Sequence, residues 1–270
     1  MVSWRIGVLA CAAACGVAIA ADNELTPRER AAGWRLLFDG KTYAGWIDPT
    51  KKSSPGDSFT IEGGCLKAMP KPRIVEDLFT EETWRDFELE FDWKISPGGN
   101  SGIKYKIQDH LFLMEPAAGV PGRFEDRVAL SLRNRPAGRP DHGQDYVIGF
   151  EYQLLDNEKN ADARKGANHQ AGALYDAVAP SKSMSRPVGE FNHSRLVVKG
   201  EHAEHWLNGV KVVDTSLEAP EIASGASARW GEGSAVYEML VKHPRKDCTI
   251  SLQNHETAAW FKNIKIRRLE

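Results

Sequence analysis

An all-β fold, a jelly-roll β-sandwich with long loops, is what this sequence predicts, on three observations. Residues 87–95 read FELEFDWKI, a strict alternation that puts Phe87, Leu89, Phe91, Trp93 and Ile95 on one face. Asn208-Gly209 stands between two alternating apolar segments, the strongest short-range hairpin signal. Strand-like runs follow one another with turn residues between them and no repeating βα alternation, which argues for a sandwich rather than a parallel sheet.

The amino terminus comes first in chain order. Arg5 precedes the apolar run 6–20, and Ala18-Ile19-Ala20 precedes Asp22-Asn23-Glu24. A basic residue, a short apolar region and a small-x-small cleavage site predict a signal peptide over 1–20 and export of the remainder to the periplasm or beyond. The run is shorter than the ~20 residues of a spanning helix, and no comparable stretch follows, so no membrane span is expected. A lipid anchor at Cys11 or Cys15 is less favoured, because Val8-Leu9-Ala10 leaves too little apolar sequence ahead of Cys11.

Of the four cysteines, Cys65 and Cys248 lie outside that segment. They could pair in an oxidising compartment, although sequence does not show that their Cα atoms approach. Two isolated thiols make no zinc pattern. No Gly/Ser or Pro linker divides residues 21–270, which read as a single domain. A net charge of −2 without basic blocks gives no electrostatic case for nucleic acid or an anionic membrane, and favours a small or neutral partner.

A short helix is expected at 26–32. The polar face of 87–95, with Glu88, Glu90, Asp92 and Lys94, meets water or lines a groove, water being the simpler expectation. After the tight loop SPGGNSG at 96–102, the run IKYKIQ at 103–108 alternates so that Lys104, Lys106 and Gln108 share a face. Further strands are expected at 194–199, 205–207, 210–213, 248–253 and 260–266. Residues 109–145 and 218–246 do not alternate, and loops of that length in a compact domain are functional or disordered, with short helical turns within them left open.

The run GFEYQLLD at 149–156 carries the most chemistry. As a strand it puts Glu151 and Gln153 on one face and Phe150, Tyr152 and Leu154 on the other, with Asp156 where the strand gives way to a polar turn. A carboxylate and a carboxamide projecting together are costly to bury unless paired or bound to something. A solvated strand face is the alternative.

These motifs, taken in order, resemble the 3-keto-disaccharide hydrolase family, also described as 3-keto-glucoside 1,2-lyases and 3-keto-2-hydroxyglucal hydratases. The matching pieces are LFDGK at 37–41 with Gly45-Trp46, FELEF at 87–91, NSGI at 100–103, EYQLLD at 151–156, GALY at 172–175, Asn208-Gly209 and FKNI at 261–264. They extend over nearly all of residues 33–269. The resemblance implies a concanavalin-like jelly roll. The chain departs from the family's usual pattern at Phe191-Asn192, where relatives often have Trp-Asn, and at QNHE (253–256), where many have QDHG. The second swap replaces an acid by Asn254, and the long 109–145 segment exceeds the shortest relatives.

The resemblance also implies a glycoside already oxidised to a ketone at sugar carbon three. Such a ketone acidifies the C2 proton, so a modest base removes it and the enolate expels the aglycone from C1. No carboxylate pair flanking the scissile bond is needed, unlike in ordinary glycosidases. The reaction requires a base, a stabiliser of the enediolate oxygens and an acid for the leaving group, or the same groups with water for hydration of the glucal. Glu151, His169 and His255 are the candidate catalytic residues and equally the candidate ligands of a divalent metal, which would act as a Lewis acid. Their spacing is no compact metal signature, and each histidine could serve an ordinary hydrogen-bonded role.

Asn100, Gln153 and Gln253 suit hydroxyl recognition, since amides donate and accept. Lys104 or Lys106 could polarise the ketone, a solvated lysine being the simpler expectation. Tyr175 and Trp230 could present flat faces to sugar C–H groups, with packing the alternative for both rings; Trp46 and Trp93 are assigned to packing. Asp156 could complete the site or fix its turn. No Gly-x-Gly-x-x-Gly lies between a strand and a helix, so no nucleotide cofactor is expected and a separate sugar 3-dehydrogenase would supply the ketone. Two other functions fit the same sandwich: a non-catalytic carbohydrate-binding module, and an ordinary glycosidase with two essential carboxylates.

Overall fold

The computed structural model describes residues 21–48, 56–113, 123–135 and 143–270. The expected signal peptide at 1–20, with Cys11 and Cys15, lies outside the described residues. The strands in chain order begin with β1 (Arg35–Leu36), β2 (Trp46–Ile47), β3 (Phe59–Glu62), β4 (Cys65–Ala68), β5 (Ile74–Val75), β6 (Leu78–Thr80) and β7 (Phe87–Ile95). They continue with β8 (Asn100–Leu113), β9 (Gly143–Leu155), β10 (Asn192–Lys199), β11 (His202–Leu207), β12 (Val210–Ser216), β13 (Ser251–Leu252) and β14 (Ala259–Arg268). One sheet runs β12-β11-β10-β7-β14-β4-β3, with β1 also on β14; the other runs β2-β6-β13-β8-β9-β5. Of these pairings only β5 with β9 is parallel. This is an all-β, antiparallel sandwich.

Alternation fills the space between the sheets. Phe87, Leu89, Phe91, Trp93 and Ile95 of β7 are buried and share one core with Ile103, Tyr105, Tyr152, Leu154 and Leu252 of the facing sheet. The Asn208-Gly209 turn takes φ of +49° and +83° and closes the β11–β12 hairpin, a geometry that Asn and Gly adopt most easily. Thr26 caps the predicted amino-terminal helix, α1 (Pro27–Ala31), with Glu29 completing a reciprocal capping box.

Three expectations need correction. First, Lys104, Lys106 and Gln108 do not share a face, because the pairing jumps from Tyr105↔Phe150 to Asp109↔Ile148 and Lys106 adopts φ +48°. This bulge sends the Lys106 ammonium to the Gly200 carbonyl at 3.0 Å and turns Gln108 toward Arg245. Neither lysine is solvated. Second, the 248–253 strand shortens to β13, preceded by a single bridge between Cys248 and Trp84. Third, the non-alternating stretches hold helices: α2 (Phe124–Arg133), α3 (Pro220–Trp230) and α4 (Ala235–Tyr237). Ile222, Ala226 and Trp230 in fact recur at helical spacing. Cys65 and Cys248, whose pairing the sequence left open, are both free and buried.

Candidate active site

The outward face of the smaller sheet, where β8, β9 and β13 run side by side, floors a recess of about 470 Å³. The registers Gly102↔Gln153, Lys104↔Glu151 and Ser251↔Lys104 bring alternate residues of the three strands together. Asn100, Lys104, Glu151, Gln153 and Gln253 all line the recess. Gly102 is required here: a Cβ at this position would lie 2.4 Å from the Glu151 carboxylate. The walls come from the turn after β9, which supplies Asp162 and Lys165, and from α2 and α3, which supply Phe124 and Arg229.

The Lys104 ammonium lies 3.9 Å from the Glu151 carboxylate and donates to the Val147 carbonyl at 3.3 Å. Gln253 Nε2 reaches the same carboxylate at 3.4 Å. Burial pushes the Glu151 carboxyl up to about 7, against the pull of Lys104 and with a further push from Asp77. Burial likewise raises Asp77 to about 6, and Asp77 accepts from Ser251 Oγ at 2.9 Å. Burial opposes the charge on Lys104, but Asp77 and Glu151 outweigh it and hold the ammonium above its ordinary pKa. The carboxamide oxygens of Asn100, Gln153 and Gln253 are buried without a hydrogen-bond partner. Orphaned acceptors cost free energy in a folded chain, and three around one recess mark where a ligand's hydroxyls are expected.

The remaining sequence candidates divide. Tyr175, Trp230 and His255 line the recess. His255 is exposed at its mouth, where the surrounding wall lowers its pKa and Lys104 adds to the effect. His169 does not line it: its ring nitrogens stand 3.4 Å from Asp162 and 3.4 Å from Asp176, with its edge against Tyr175. Asp156 fixes the turn, accepting backbone N–H bonds from Gly98, Glu158 and Lys159 at 2.7–3.1 Å. Burial would raise its carboxyl, but those bonds hold it below the ordinary value. Asn254 is structural too, its amide donating to the carbonyls of Ser58 and Met69, a role a carboxylate could not fill.

As a metal donor set, Glu151, His169 and His255 do not fit, because their ligand atoms do not gather within 4.8 Å of one another. His202, Glu204 and Asp214 on the far sheet do gather, but the Lys211 ammonium is already paired with both carboxylates. Sequence reasoning missed Asp77, Tyr146, Arg229 and Phe124. The first lies in a polar pair with no periodic signal. Strict alternation gives Tyr146 the parity of Tyr152 and Leu154 and so predicts the face opposite Glu151, and Arg229 belongs to the unrecognised helical repeat.

The protein is thus a β-sandwich with a polar recess on the outer face of its smaller sheet, floored by a carboxyl group whose pKa burial raises. The chain belongs to the 3-keto-alpha-glucoside-1,2-lyase-like domain family, whose pattern it matches over residues 33–267. Membership places it among carbohydrate-active enzymes. It is 28% identical over 253 residues to the 3-keto-disaccharide hydrolase of Bacteroides thetaiotaomicron, covering 89% of this chain and 80% of that one. Two crystal structures from Parabacteroides distasonis, named as candidate glycosyl hydrolases, share the fold. One superposes with a TM-score of 0.67 at 24% identity, covering 93% of this chain and all of the other. The second gives 0.58 at 22% identity, over 87% of this chain and 99% of its own.

Proposed function

We propose that the protein cleaves 3-keto-glycosides by elimination, with Glu151 as the base that removes the C2 proton. The observation that carries this is Glu151 itself: a carboxyl pushed up to about 7 is half deprotonated at physiological pH and strong enough to abstract a proton acidified by an adjacent ketone. Lys104, buried and cationic 3.9 Å away, offsets the negative charge that develops on the enolate oxygen. The orphaned amide oxygens of Asn100, Gln153 and Gln253 accept from sugar hydroxyls. The C1–O bond then breaks with its electron pair going to the aglycone oxygen, which His255, at the recess mouth, supplies with a proton. In the balance, one 3-keto-glycoside gives one 2-hydroxy-3-keto-glucal and one free alcohol.

Addition of water to that glucal uses the same groups in reverse and completes a net hydrolysis. Because the ketone must exist beforehand, a separate sugar 3-dehydrogenase acts upstream. The apolar leader at 6–20 supports export of the protein. Among the described residues no helix is long and apolar enough to cross a membrane.

The experiment incubates purified protein with a 3-keto-glucoside and with its unoxidised parent, each with and without EDTA, following aglycone release and enone absorbance. Release from the ketone alone is expected. Release from the parent would overturn elimination in favour of an ordinary glycosidase, and release from neither would leave a carbohydrate-binding module. Loss of release in EDTA would restore a metal to the mechanism.

A further inference from the structure

We infer that the end of the recess away from the amide oxygens is an aglycone site for a flat aromatic group, so that the favoured substrates are 3-keto-glycosides of phenols. This deepens the elimination proposal and rests on it. The recess has two chemically different ends. One holds the carboxyl, ammonium and amides described above. The other is bounded by Phe124 of α2, Tyr146 of β9 and Trp230 of α3.

The three rings make an open aromatic corner. Phe124 meets Tyr146 edge-on with centroids 4.9 Å apart, and Trp230 stands 6.2 Å from Tyr146 and 6.4 Å from Phe124 at tilted angles. Each ring is only partly buried, and the trio packs on a small cluster with Val128 and Val236, separate from the main core. A cation lies over each ring, Lys104 on Tyr146, Arg127 on Phe124 and Arg229 on Trp230, so a further ring meets the remaining edges and faces in the offset or edge-on arrangements that aromatic groups prefer.

Charge and size point the same way. Arg229 lies over Trp230 at 4.8 Å and Lys104 over Tyr146 at 5.0 Å, but Asp176 at 3.3 Å and Glu125 at 3.6 Å balance the first charge and Glu151 at 3.9 Å the second, so the corner suits a neutral ring rather than an anion. A cavity of about 470 Å³ lies within the roughly 300–1,000 Å³ typical of small-molecule sites, room for a sugar and a second ring. A second sugar would bring several hydroxyls against these rings, where they find no partner. A phenol also departs more readily than a sugar alcohol, which matches a proton donor, His255, whose imidazole is held below its ordinary pKa. The electron pair of the C1–O bond goes to the phenol oxygen, and one proton joins it.

The test compares kcat/KM of Phe124→Ala and Trp230→Ala on 3-keto-phenyl glucoside and on a 3-keto-disaccharide, each referred to the unsubstituted protein on the same substrate. Loss on the phenyl substrate is expected to be about 10–100-fold and at least tenfold greater than on the disaccharide. Trp230→Phe, which keeps a ring, is expected to recover most of the phenyl activity. Equal losses, or a greater loss on the disaccharide, overturn the inference. Calorimetric titration with unoxidised phenyl and methyl glucosides separates the two claims. Phenyl-selective binding that Trp230→Ala abolishes would uphold the aromatic site even if no ketone were cleaved. Cleavage without phenyl preference in turnover or binding would refute the site and leave elimination standing.

Discussion

The outer faces of the two sheets begin from the same sequence pattern and end with opposite chemistry. On β7, Glu88, Glu90 and Asp92 alternate with buried apolar residues, as Glu151 and Gln153 do on β9. Neighbouring strands then satisfy the β7 row completely. Glu88 is clasped by Arg195 and by Arg267, whose Nε lies 2.6 Å away; Glu90 meets Lys265 at 2.8 Å and Asp92 meets His193 at 2.8 Å. The β9 row faces one ammonium at 3.9 Å and amides whose own oxygens lack partners. Alternation decides only which way a side chain points. Whether a polar row is finished or left open depends on what adjacent strands and helices bring to it.

The sharpest test of that contrast is Glu151→Gln, expected to lower kcat/KM by about 10²–10⁴-fold with an unchanged circular dichroism spectrum. In the unsubstituted protein, kcat/KM should be bell-shaped, rising about tenfold per pH unit on the acid limb and falling above about 7, because Glu151 works only when deprotonated and His255 only when protonated. A profile flat from pH 5 to 8 would remove Glu151 from that role.

On the finished face the effect should fall on stability instead. Glu88→Ala leaves two guanidinium groups without their shared carboxylate and is expected to cost about 1–3 kcal/mol in urea unfolding, with turnover unchanged. Gln253→Met keeps the volume but removes an orphaned oxygen together with the Nε2–H that reaches Glu151 at 3.4 Å. It should cut kcat/KM by roughly tenfold while leaving stability level or raised by up to about 1 kcal/mol. If it destabilised the fold instead, the orphaned oxygen would be serving structure rather than ligand. Smallest of all, His193→Gln on the exposed rim of the finished face should change stability by less than about 0.5 kcal/mol.

Much of the site was legible because its floor lies on strands. Asn100, Lys104, Glu151, Gln153 and Gln253 could be named from alternation and resemblance, and the recess gathers them. Trp230, Tyr175 and His255 join from outside the floor. His169 and Asp156 were drawn from the same motifs, yet hydrogen bonding commits one to two aspartates beside Tyr175 and the other to a turn. Histidine and aspartate serve structure and chemistry with the same atoms, so residue type could not separate the roles. Lys106 was misplaced because a bulge adds residues to one strand without interrupting its apolar pattern.

The sequence by itself determined the strand class, the β11–β12 turn and the outward direction of Glu151, because side-chain alternation and left-handed turn residues act over two to four neighbours. Only the tertiary structure decided that Glu151 would sit beside Lys104 with a raised pKa, that three amide oxygens would stay unpaired, that Cys65 and Cys248 would lie apart, and that α2 and α3 would close an aromatic corner over β9. Those outcomes depend on contacts between residues tens to hundreds of positions apart, and on the loss of water when such residues meet, neither of which has a local period to read.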